Sequence, residues 1–489
     1  SGKHDLTRYD WEKYLSFADK HMPLAAGESE ATPLTMEWIS EHLEKSSPRL
    51  ILTPEVETKV RNKLEKGDLP TKMGFDLLKT QAESMLELDP LIYKKTGRRL
   101  LGVSREAVRR LTTLALVYRF EPEDRYLRKL EEELKAVCSF EDWNPSHFLD
   151  VAEMAAGIAL ALDWAGECLS PEVNKMARHA LVEKAIKQGI ASAGNNFFVN
   201  AHHNWNLVCN GGLSLAALTV FEEESELATE VLNQAVHSIP LALEPYAPDG
   251  IYPEGASYWF YATTYLTVAI SAFETALGTD FGFTSAPGIM ESAVFSQVLA
   301  GPSGAYYNYF DASLEGFHSL AHFGLLSWFS RRSGDFIDWL AYEQVLKKEA
   351  ENSQDVKATR FFSTHFLNCA MLDSEAGGAF RWPEVWSGEG EEALVVFRDR
   401  ENKRGSFYLA AKGGMAADNH GNMDAGSFIF EVKGVRWSVD PGNQNYHELE
   451  QLMGMELWNR AQESKRWSLL TKNNFGHSTL TVNGEMHRA

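Results

Sequence analysis

The stretch HFLDVAEMAAGIALALDWAG (147–166) decides the fold class of most of the chain. Its apolar residues recur at intervals of three and four, which is the spacing of an α-helix with a buried face. REAVRRLTTLALVYRF (105–120) and ATTYLTVAISAFETALG (262–278) have the same spacing. Turn signals such as SPEVN at 170 and APDG at 247 separate these stretches. Residues from about 36 to 350 therefore predict a succession of amphipathic helices joined by short loops.

The pattern changes after about residue 360, where apolar and polar residues alternate as they do in half-buried strands. This alternation runs through EALVVFRD (392–399), GSFYLAAK (405–412), GSFIFEVKGVRWSVD (426–440), RWSLLTK (466–472) and STLTVNGE (478–485). Within the third of these, VKGVRW (432–437) indicates a hairpin turn around Gly434.

These two patterns predict an α+β protein with an N-terminal (α/α) toroid of helical hairpins over 1–355 and an antiparallel β-sheet or sandwich over 356–489. No strict repeat of fixed length is visible, which disfavours TPR and HEAT arrays. A β-sandwich normally needs more strands than the alternating stretches supply. We therefore expect further strands beyond Ala489, so that the β part is incomplete.

Composition and charge exclude several classes of protein. The chain has 489 residues, 44% hydrophobic and 24% charged, with a net charge of −21. Such a balance is globular and argues against general affinity for nucleic acid or anionic membranes, although a cleft can be locally basic. No apolar run is long enough for a membrane span. The four cysteines are scattered without paired spacing, so a disulfide framework is not expected.

NAHHNWNLVCNGG (200–212) places many uncharged polar groups where a core helix should carry leucines. If the helix begins near Asn200, then His203, Asn206 and Asn210 share one face. The alternative interpretation is a helix end whose polar groups cap the backbone and satisfy their neighbours.

APDGIYPEGASYWFYATTY (247–265) carries a second unusual stripe, with Tyr258, Tyr261 and Tyr265 at helical spacing. The alternative here is core packing with the hydroxyls bonded to backbone. A polar stripe and a tyrosine stripe on neighbouring helices would line a cleft with donors, acceptors and a phenol.

A third polar cluster lies among the predicted strands, in DNHGNMDAGSF (418–428), SVDPG (438–442) and NNFGHSTLTVNG (473–484). Its nitrogen and oxygen side chains are sufficient for a metal site. The alternative is that these are polar turn residues at the ends of strands, where the same residue types are common. The candidates are His420, Asn422, Asp424, Asp440 and His477.

The combination of histidine, amide and tyrosine suits β-elimination from a uronic acid. The C5 proton lies next to a carboxylate and is barely acidic until hydrogen bonds from asparagine or histidine neutralise that charge. A tyrosine or histidine can then take the proton, and a tyrosine can protonate the departing C4 oxygen.

HNWNLVCNGG, YAPDGIYPEGASYWFYATTY, NHGNMDAGSFIFEVKGVRWSVDPG and HSTLTVNG together resemble the heparinase II/III-like polysaccharide lyases, a superfamily that includes alginate lyases. The resemblance runs from about residue 190 to the last residue. It implies an (α/α) toroid followed by antiparallel β-sheets.

The resemblance also implies roles for individual residues. Tyr258 matches the catalytic tyrosine of the family, and His203 matches the histidine upstream of it, with His202 as a close competitor within the doublet. Asn204 is similar to the amide that neutralises the carboxylate. His420 corresponds to the catalytic histidine that the β part contributes.

Members of the family often bind zinc near this histidine, and the resemblance assigns that site to Asn422, Asp440 and His477. Asn422 departs from the histidine of the family, which weakens zinc binding or favours a harder ion such as calcium. The metal would be structural and would hold the loop that carries His420. No organic cofactor is expected.

Further residues are candidates for substrate binding: Asn206 and Tyr261 from the two stripes, Tyr307 and Tyr309 in AYYNYFDAS (305–313), and Arg460 as a partner for a carboxylate. Packing or surface salt bridges would explain the tyrosines and the arginine equally well.

The sequence therefore predicts a polysaccharide lyase that cleaves uronic-acid-containing glycans of the alginate or glycosaminoglycan type and leaves an unsaturated end. Its partner would be an anionic polysaccharide or oligosaccharide, an oligomer is compatible with the sequence, and a periplasmic or secreted location is expected. The alternatives are a glycoside hydrolase, for which Asp249 and Glu254 are the only tempting carboxylate pair, and a non-catalytic glycan-binding protein.

Overall fold

The structure is a computed structural model that describes residues 33–191, 197–316, 319–333, 337, 339–351, 360–372, 380–400 and 406–489. The first 32 residues of the predicted toroid lie outside the described residues, and so do the two positions of the predicted 355/356 boundary.

Helices form the N-terminal part of the chain. In order they are α1 (Met36–His42), α2 (Pro54–Glu65), α3 (Leu69–Leu86), α4 (Leu101–Phe120), α5 (Asp124–Cys138), α6 (Leu149–Ala165), α7 (Pro171–Leu181), α8 (Lys187–Ala191), α9 (Asn204–Val220), α10 (Ser225–Leu243), α11 (Ala256–Leu277), α12 (Ser292–Val298), α13 (Leu320–Ser330), α14 (Trp339–Glu351) and α15 (Phe362–Ala370).

Six of these helices close into an inner ring. Going round the ring, α4 contacts α6, α6 contacts α9, α9 contacts α11, α11 contacts α13, α13 contacts α15, and α15 returns to α4. Every residue of α6 is buried, and its three carboxylates, Asp150, Glu153 and Asp163, have partners on neighbouring segments. The ring closure confirms the predicted toroid, which periodicity alone leaves open.

Glycines allow the ring helices to approach one another closely. A Cβ on Gly212 of α9 would lie 2.2 Å from the carbonyl oxygen of Ala152 in α6. A Cβ on Gly157 of α6 would lie 2.9 Å from the Cα of Val108 in α4. Both positions therefore bring one helix backbone against the next.

The C-terminal part contains an antiparallel sheet with the strand order β1 to β5. The strands are β1 (Val385–Gly388), β2 (Leu394–Arg398), β3 (Phe407–Lys412), β4 (Phe428–Val432) and β5 (Val435–Ser438). The sequence predicts all of them except β1. Lys433 and Gly434 join β4 to β5 with φ values of 54° and 74°, the conformation of a type I′ hairpin, which confirms the predicted turn. The change from helix to strand falls between Ala370 and Val385.

Two predicted strands are wrong. RWSLLTK lies over a 3₁₀ turn at Lys465–Ser468, and 478–485 forms turns in the described backbone. The amide of Phe428 donates one hydrogen bond to Ser478 (3.2 Å), but no ladder follows. Leu480 and Val482 are 83% and 68% exposed, because alternation alone does not form a strand without a paired neighbour and a covered face.

Polar contacts attach the sheet to the loop that follows α12. The Tyr408 hydroxyl donates to the carbonyl of Val298 (3.0 Å), and buried Glu431 accepts from the amide of Ser303 (3.0 Å). Arg436 donates to the carbonyl of Tyr306 (2.8 Å). These bonds hold strands β3, β4 and β5 against the end of α12 and the loop that follows it. Among the described helices, none combines the length and apolar character that crossing a membrane requires.

Candidate functional site

A groove of about 1220 Å³ lies where three ring helices begin and the loops of the C-terminal part cover them. The first turns of α4, α9 and α11 contribute to its wall, and the positive ends of helix dipoles favour an anionic occupant. Among the lining residues are Arg98, Arg99, Arg105, His203, Asn204, Tyr258, Tyr261, Asp311, Arg360, Asn419, His420, Tyr446 and Trp458.

His203 and Asn204 stand together at the start of α9. His203 is the N-cap, and its Nδ1 accepts a hydrogen bond from the amide of Trp205 at 3.4 Å. Burial lowers the pKa of His203 to about 4, so the ring is neutral at pH 7. Because Nδ1 accepts, the neutral ring carries its proton on Nε2. Asn204 is buried, and its Oδ1 has no hydrogen-bond partner among the described residues.

The predicted helix start near Asn200 is wrong, and with it the interpretation of Asn206 as a substrate contact. The helix begins at Asn204, and both Asn206 and Asn210 are fully buried. Asn206 donates to the carbonyls of Ala201 (2.9 Å) and Ser238 (2.8 Å), while Asn210 donates to Asn206 (2.9 Å). Their amides therefore join α9 to α10. This agrees with the alternative interpretation, in which these polar groups hydrogen-bond to neighbouring residues.

The histidine doublet separates clearly in space. His202 is exposed and pairs through Nδ1 with Glu244 at 3.0 Å, and it does not line the groove. The placement of His202 as a candidate catalytic residue is therefore wrong, because its exposed side chain is paired with Glu244 outside the groove that His203 lines.

Tyr258 lies in the first turn of α11, directly after a tight turn in YPEG. Gly255 precedes the helix with φ 84°, and a Cβ there would lie 3.3 Å from Ala312 and 3.4 Å from the carbonyl of Tyr309. Burial, followed by the charge of Asp311, raises the pKa of Tyr258, so its phenol is neutral at rest.

A chain of hydroxyls orients Tyr258. The Tyr446 hydroxyl donates to Oδ2 of Asp311 (2.8 Å) and lies 2.9 Å from the hydroxyl of Tyr258. Since the single proton of Tyr446 goes to the carboxylate, Tyr258 donates to Tyr446, and this bond does not use the lone pairs of Tyr258. Lys472 also pairs with Asp311, and although burial opposes ionisation, the bonds from His420 and Lys472 hold the pKa of Asp311 far below its ordinary value.

His420 enters the groove from the loop between β3 and β4. Its ring stacks on Tyr258 with centroids 4.2 Å apart, and its Nδ1 lies 2.7 Å from Oδ2 of Asp311. The backbone of His420 has φ 59°, a left-handed conformation that costs energy for a residue with a side chain. The strained loop and the hydrogen bond to ionised Asp311 therefore hold the His420 imidazole against the phenol ring of Tyr258.

Glu254 lies behind His420 and is fully buried. Its Oε2 is 3.4 Å from Nε2 of His420 and accepts from Asn419 (3.0 Å). Burial raises the pKa of Glu254 to about 7. The carboxyl therefore changes protonation near neutral pH, next to the imidazole that the C-terminal part contributes.

Four further predictions, three for tyrosines and one for an arginine, have different outcomes. Tyr261 lines the groove, but its hydroxyl donates to Glu153 (2.6 Å). Tyr307 and Tyr309 are fully buried, with hydroxyls bonded to Ser427 (2.8 Å) and to the carbonyl of Tyr252 (3.2 Å), so their placement as substrate contacts is wrong. Arg460 is half-buried and near enough for its charge to affect His203, but it does not line the groove.

The metal candidates form a compact buried group beside the His420 loop. Asp424, Asp440 and His477 each offer a ligand atom, and these atoms lie within 4.8 Å of one another. Within the described parts of the chain, buried His477 Nε2 has no hydrogen-bond partner, and neither has the amide oxygen or nitrogen of Asn422. Lys412 also approaches Asp424, with Nζ 3.1 Å from Oδ1. The imidazole nitrogen of His477 and the amide oxygen of Asn422, together with the two carboxylates, are ligand atoms that suit a divalent cation.

The carboxylate pair of the hydrolase alternative does not face across the groove. Asp249 accepts a hydrogen bond from the amide of Glu389 (2.5 Å), and Glu254 is buried against His420; neither lines the groove. An acid and a base on opposite sides of a scissile bond are therefore not formed by these two residues.

Sequence reasoning missed Tyr446, Lys472 and the arginines of the groove. Tyr446 lies in GNQNYHELE, a segment without helical or strand periodicity, and Lys472 ends a stretch interpreted as a strand. No local pattern connects them to Tyr258. Only the fold brings these distant segments together.

Comparison with known proteins supports the same architecture. The family model described as heparinase II/III-like, C-terminal, matches residues 393–488. A crystal structure of heparinase III is similar with a TM-score of 0.52 and 14% identity, covering 91% of this chain and 71% of that one. No curated protein matches the chain.

Two other similar structures have lower scores. An alginate lyase from Bacteroides ovatus has a TM-score of 0.45 and 15% identity, with 66% of this chain and 99% of that one covered. A mutant heparan sulfate lyase HepC from Pedobacter heparinus has a TM-score of 0.45 and 13% identity, with coverages of 92% and 71%. The chain spans 54% of the length of another heparinase III structure, one with methylated lysines.

Residues 393–488 thus match the heparinase II/III-like family that the motifs resemble, and the chain has a fold similar to that of heparinase III.

Proposed function

We propose that this protein is a polysaccharide lyase that cleaves uronic-acid-containing glycans by β-elimination. The observation that carries the proposal is the Tyr258 hydroxyl, which is oriented by Tyr446 and Asp311 and shares one groove with His203 and Asn204. The match of residues 393–488 to the heparinase II/III-like family supports it.

In this mechanism the amide of Asn204 and the Nε2–H of neutral His203 donate to the carboxylate of the bound uronate. These donors stabilise the negative charge that develops when the C5 proton leaves, and burial strengthens their effect. Their position in the first turn of α9 adds the favourable end of a helix dipole.

Tyr258 then takes the C5 proton on a lone pair that the bond to Tyr446 does not use. Its own proton passes to Tyr446, and the proton of Tyr446 passes to Asp311, along bonds of 2.9 Å and 2.8 Å. The electron pair of the C5–H bond forms the C4–C5 double bond, and the pair of the breaking C4–O4 bond goes to O4.

The relay runs back to complete the reaction. The low pKa of Asp311 means that it holds the proton only briefly. Tyr446 and Tyr258 regain their protons in turn, and Tyr258 delivers one to O4. The products are a chain with a new hydroxyl end and a chain with an unsaturated uronate, and no net proton is gained or lost.

We also propose a structural divalent metal, zinc or calcium, at Asp424, Asp440 and His477, with the amide of Asn422 as a further ligand. The imidazole and the two carboxylates are ligands that zinc accepts, and the carboxylates and the amide oxygen are ligands that calcium prefers. The metal would hold the His420 loop in its strained conformation and would take no part in the elimination.

A spectroscopic assay tests the function. Alginate, heparan sulfate, hyaluronan and chondroitin are incubated with the protein, and ultraviolet absorbance of the conjugated product is followed together with reducing ends. Elimination on any of these polymers produces both signals and supports the proposal. Reducing ends without absorbance indicate hydrolysis, binding without either signal indicates a glycan-binding protein, and both outcomes contradict the proposal.

A further inference from the structure

Two arginines share one buried carboxylate on the wall of the groove. Glu153 of α6 is fully buried, and Arg105 and Arg360 each approach it through Nε at 3.0 Å. Tyr261 donates to the same carboxylate (2.6 Å), and its ring lies against both guanidinium groups, 4.9 Å and 4.6 Å from their central carbons. We call Arg105 and Arg360 the arginine pair.

The arginine pair carries more positive charge than its partner neutralises. One carboxylate faces two guanidinium groups, so one positive charge remains in a chain whose net charge is −21. Such an excess at a concave surface attracts and concentrates anions.

The arginine pair also has unused hydrogen-bond donors. Arg105 donates from Nε to Oε1 of Glu153, whereas Arg360 Nε lies 3.0 Å from Oε2 as an ion pair without a hydrogen bond. Among the residues that the structure describes, Tyr261 is the one further side chain that Arg105 contacts as a hydrogen-bonding partner, which leaves terminal amino groups of both arginines unused. The two side chains are 37% and 24% exposed and both line the groove. Terminal guanidinium nitrogens held in place in this way match the paired oxygens of a carboxylate or sulfate.

The arginine pair is close to the reacting centre but separate from it. Tyr261, on which both guanidinium groups rest, follows Tyr258 by three residues on α11, so the two side chains are neighbours on one helix face. An anion at the arginine pair would therefore belong to a sugar adjoining the one whose C5 faces Tyr258.

We propose that the arginine pair is a subsite for a second acidic group, carboxylate or sulfate, on the sugar next to the reacting uronate. This inference rests on the proposed function and narrows it: the substrate is a polyanion with charges on successive sugars. A uronate flanked by neutral sugars is bound weakly because nothing occupies the unused guanidinium donors.

The test combines Arg105→Gln and Arg360→Gln with matched oligosaccharides. Each substrate keeps the reacting uronate, while the neighbouring sugar has its carboxyl intact or reduced to an alcohol, or its sulfate present or removed. Arg109→Gln is the control, because Arg109 lies one turn further along α4, pairs with Glu106 (2.6 Å) and does not line the groove.

For the native protein and the control we expect KM to rise about 10- to 100-fold when the neighbouring acidic group is removed, as for a lost charged hydrogen bond. The substrate pair that shows this rise identifies carboxylate or sulfate as the ligand. In both arginine variants the intact substrate should already have the high KM, with kcat nearly unchanged. An unchanged KM in the variants, or equal KM values for both substrates in the native protein, would overturn the subsite.

Calorimetric binding to Tyr258→Phe keeps this result separate from the lyase proposal. If no variant of the chain eliminates but polyanion binding still weakens in Arg105→Gln and Arg360→Gln, the subsite stands and the lyase proposal fails. If elimination proceeds and binding is the same with and without the arginines, the subsite fails alone. If a glutamine variant does not fold, Arg105→Lys replaces it, because lysine keeps the positive charge and loses the planar guanidinium group. This variant should bind the polyanion with an affinity between those of the native protein and a glutamine variant.

Discussion

At the scale of single residues, chemistry depends on side chains that sequence patterns identify only in part. Tyr258, His203, Asn204 and His420 were predicted from motif resemblance, and the structure brings them to one groove, while their catalytic roles stay predictions. The sequence places Asp311 in the aromatic loop AYYNYFDAS (305–313), where it could contact a sugar or pack, and does not indicate its partners. Its position beside Tyr446 and His420 results from the fold and could not be predicted from spacing.

Glu254 provides a pH-dependent prediction at this scale. Burial raises its pKa from 4.5 to about 7, so the folded protein binds this proton more tightly than the unfolded chain does. Stability from this group is fully present below pH 4.5 and is lost as pH rises through 7. Glu254→Gln has no charge to bury, so its free energy of unfolding relative to the native protein should rise by roughly 3 kcal/mol between pH 4.5 and pH 8.

Urea unfolding of both proteins at the two pH values measures this difference. Glu230→Gln on the exposed side of α10 is the control and should show no such pH-dependent change. A constant difference between Glu254→Gln and the native protein would contradict the burial argument.

At the scale of elements, helical spacing predicts that a helix exists better than it predicts where the helix begins and ends. The stretch 147–166 becomes the fully buried α6, as its apolar spacing indicates. The start of α9 was predicted about four residues early, because polar residues before a helix and inside its first turn look alike in sequence. In the sheet, β4 and β5 follow from the turn chemistry at Gly434, whereas alternation at 478–485 lacks a partner and forms no strand.

Close helix packing leads to a prediction about glycine. A Cβ at Gly212 would lie 2.2 Å from the carbonyl oxygen of Ala152, so Gly212→Ala must push α9 away from α6. We expect a loss of about 1 to 3 kcal/mol or more in the free energy of unfolding, as for an overpacked core. Gly102→Ala is the matched control, since nothing lies within 4 Å of its Cβ, and it should raise stability by no more than about 1 kcal/mol. Equal effects of the two changes in denaturant unfolding would show that α9 and α6 are not so close.

At the scale of the whole molecule, the groove is formed by the toroid and the C-terminal part together. The ring supplies Tyr258, His203 and Asn204, and the C-terminal part supplies His420 and Tyr446. Composition indicates an acidic surface, but it does not reveal that arginines gather in the groove. That arrangement depends on which helix ends meet.

The proposed metal lies within the C-terminal part, beside the loop that carries His420, and its removal should therefore loosen the site. At a free metal concentration 100-fold above its Kd, the bound ion would contribute about 2.7 kcal/mol to stability. Protein prepared without added metal should contain about one zinc or calcium ion per chain by elemental analysis, and chelation should lower its melting temperature. His477→Ala should melt at the lower temperature with or without chelator. A full-length preparation that contains no metal, or that gains no stability from added zinc or calcium, would contradict the metal proposal.

The turnover of Tyr258→Phe tests the central claim most directly. This change removes one hydroxyl from the groove, and Tyr93→Phe makes the same change outside it. Elimination is followed by ultraviolet absorbance on the best substrate of the panel, and binding is measured by calorimetry. We predict that Tyr258→Phe loses about 10²- to 10⁴-fold in kcat, as expected for a lost acid–base group, while its Kd stays close to that of the native protein. Equal turnover in Tyr258→Phe and Tyr93→Phe would contradict the account.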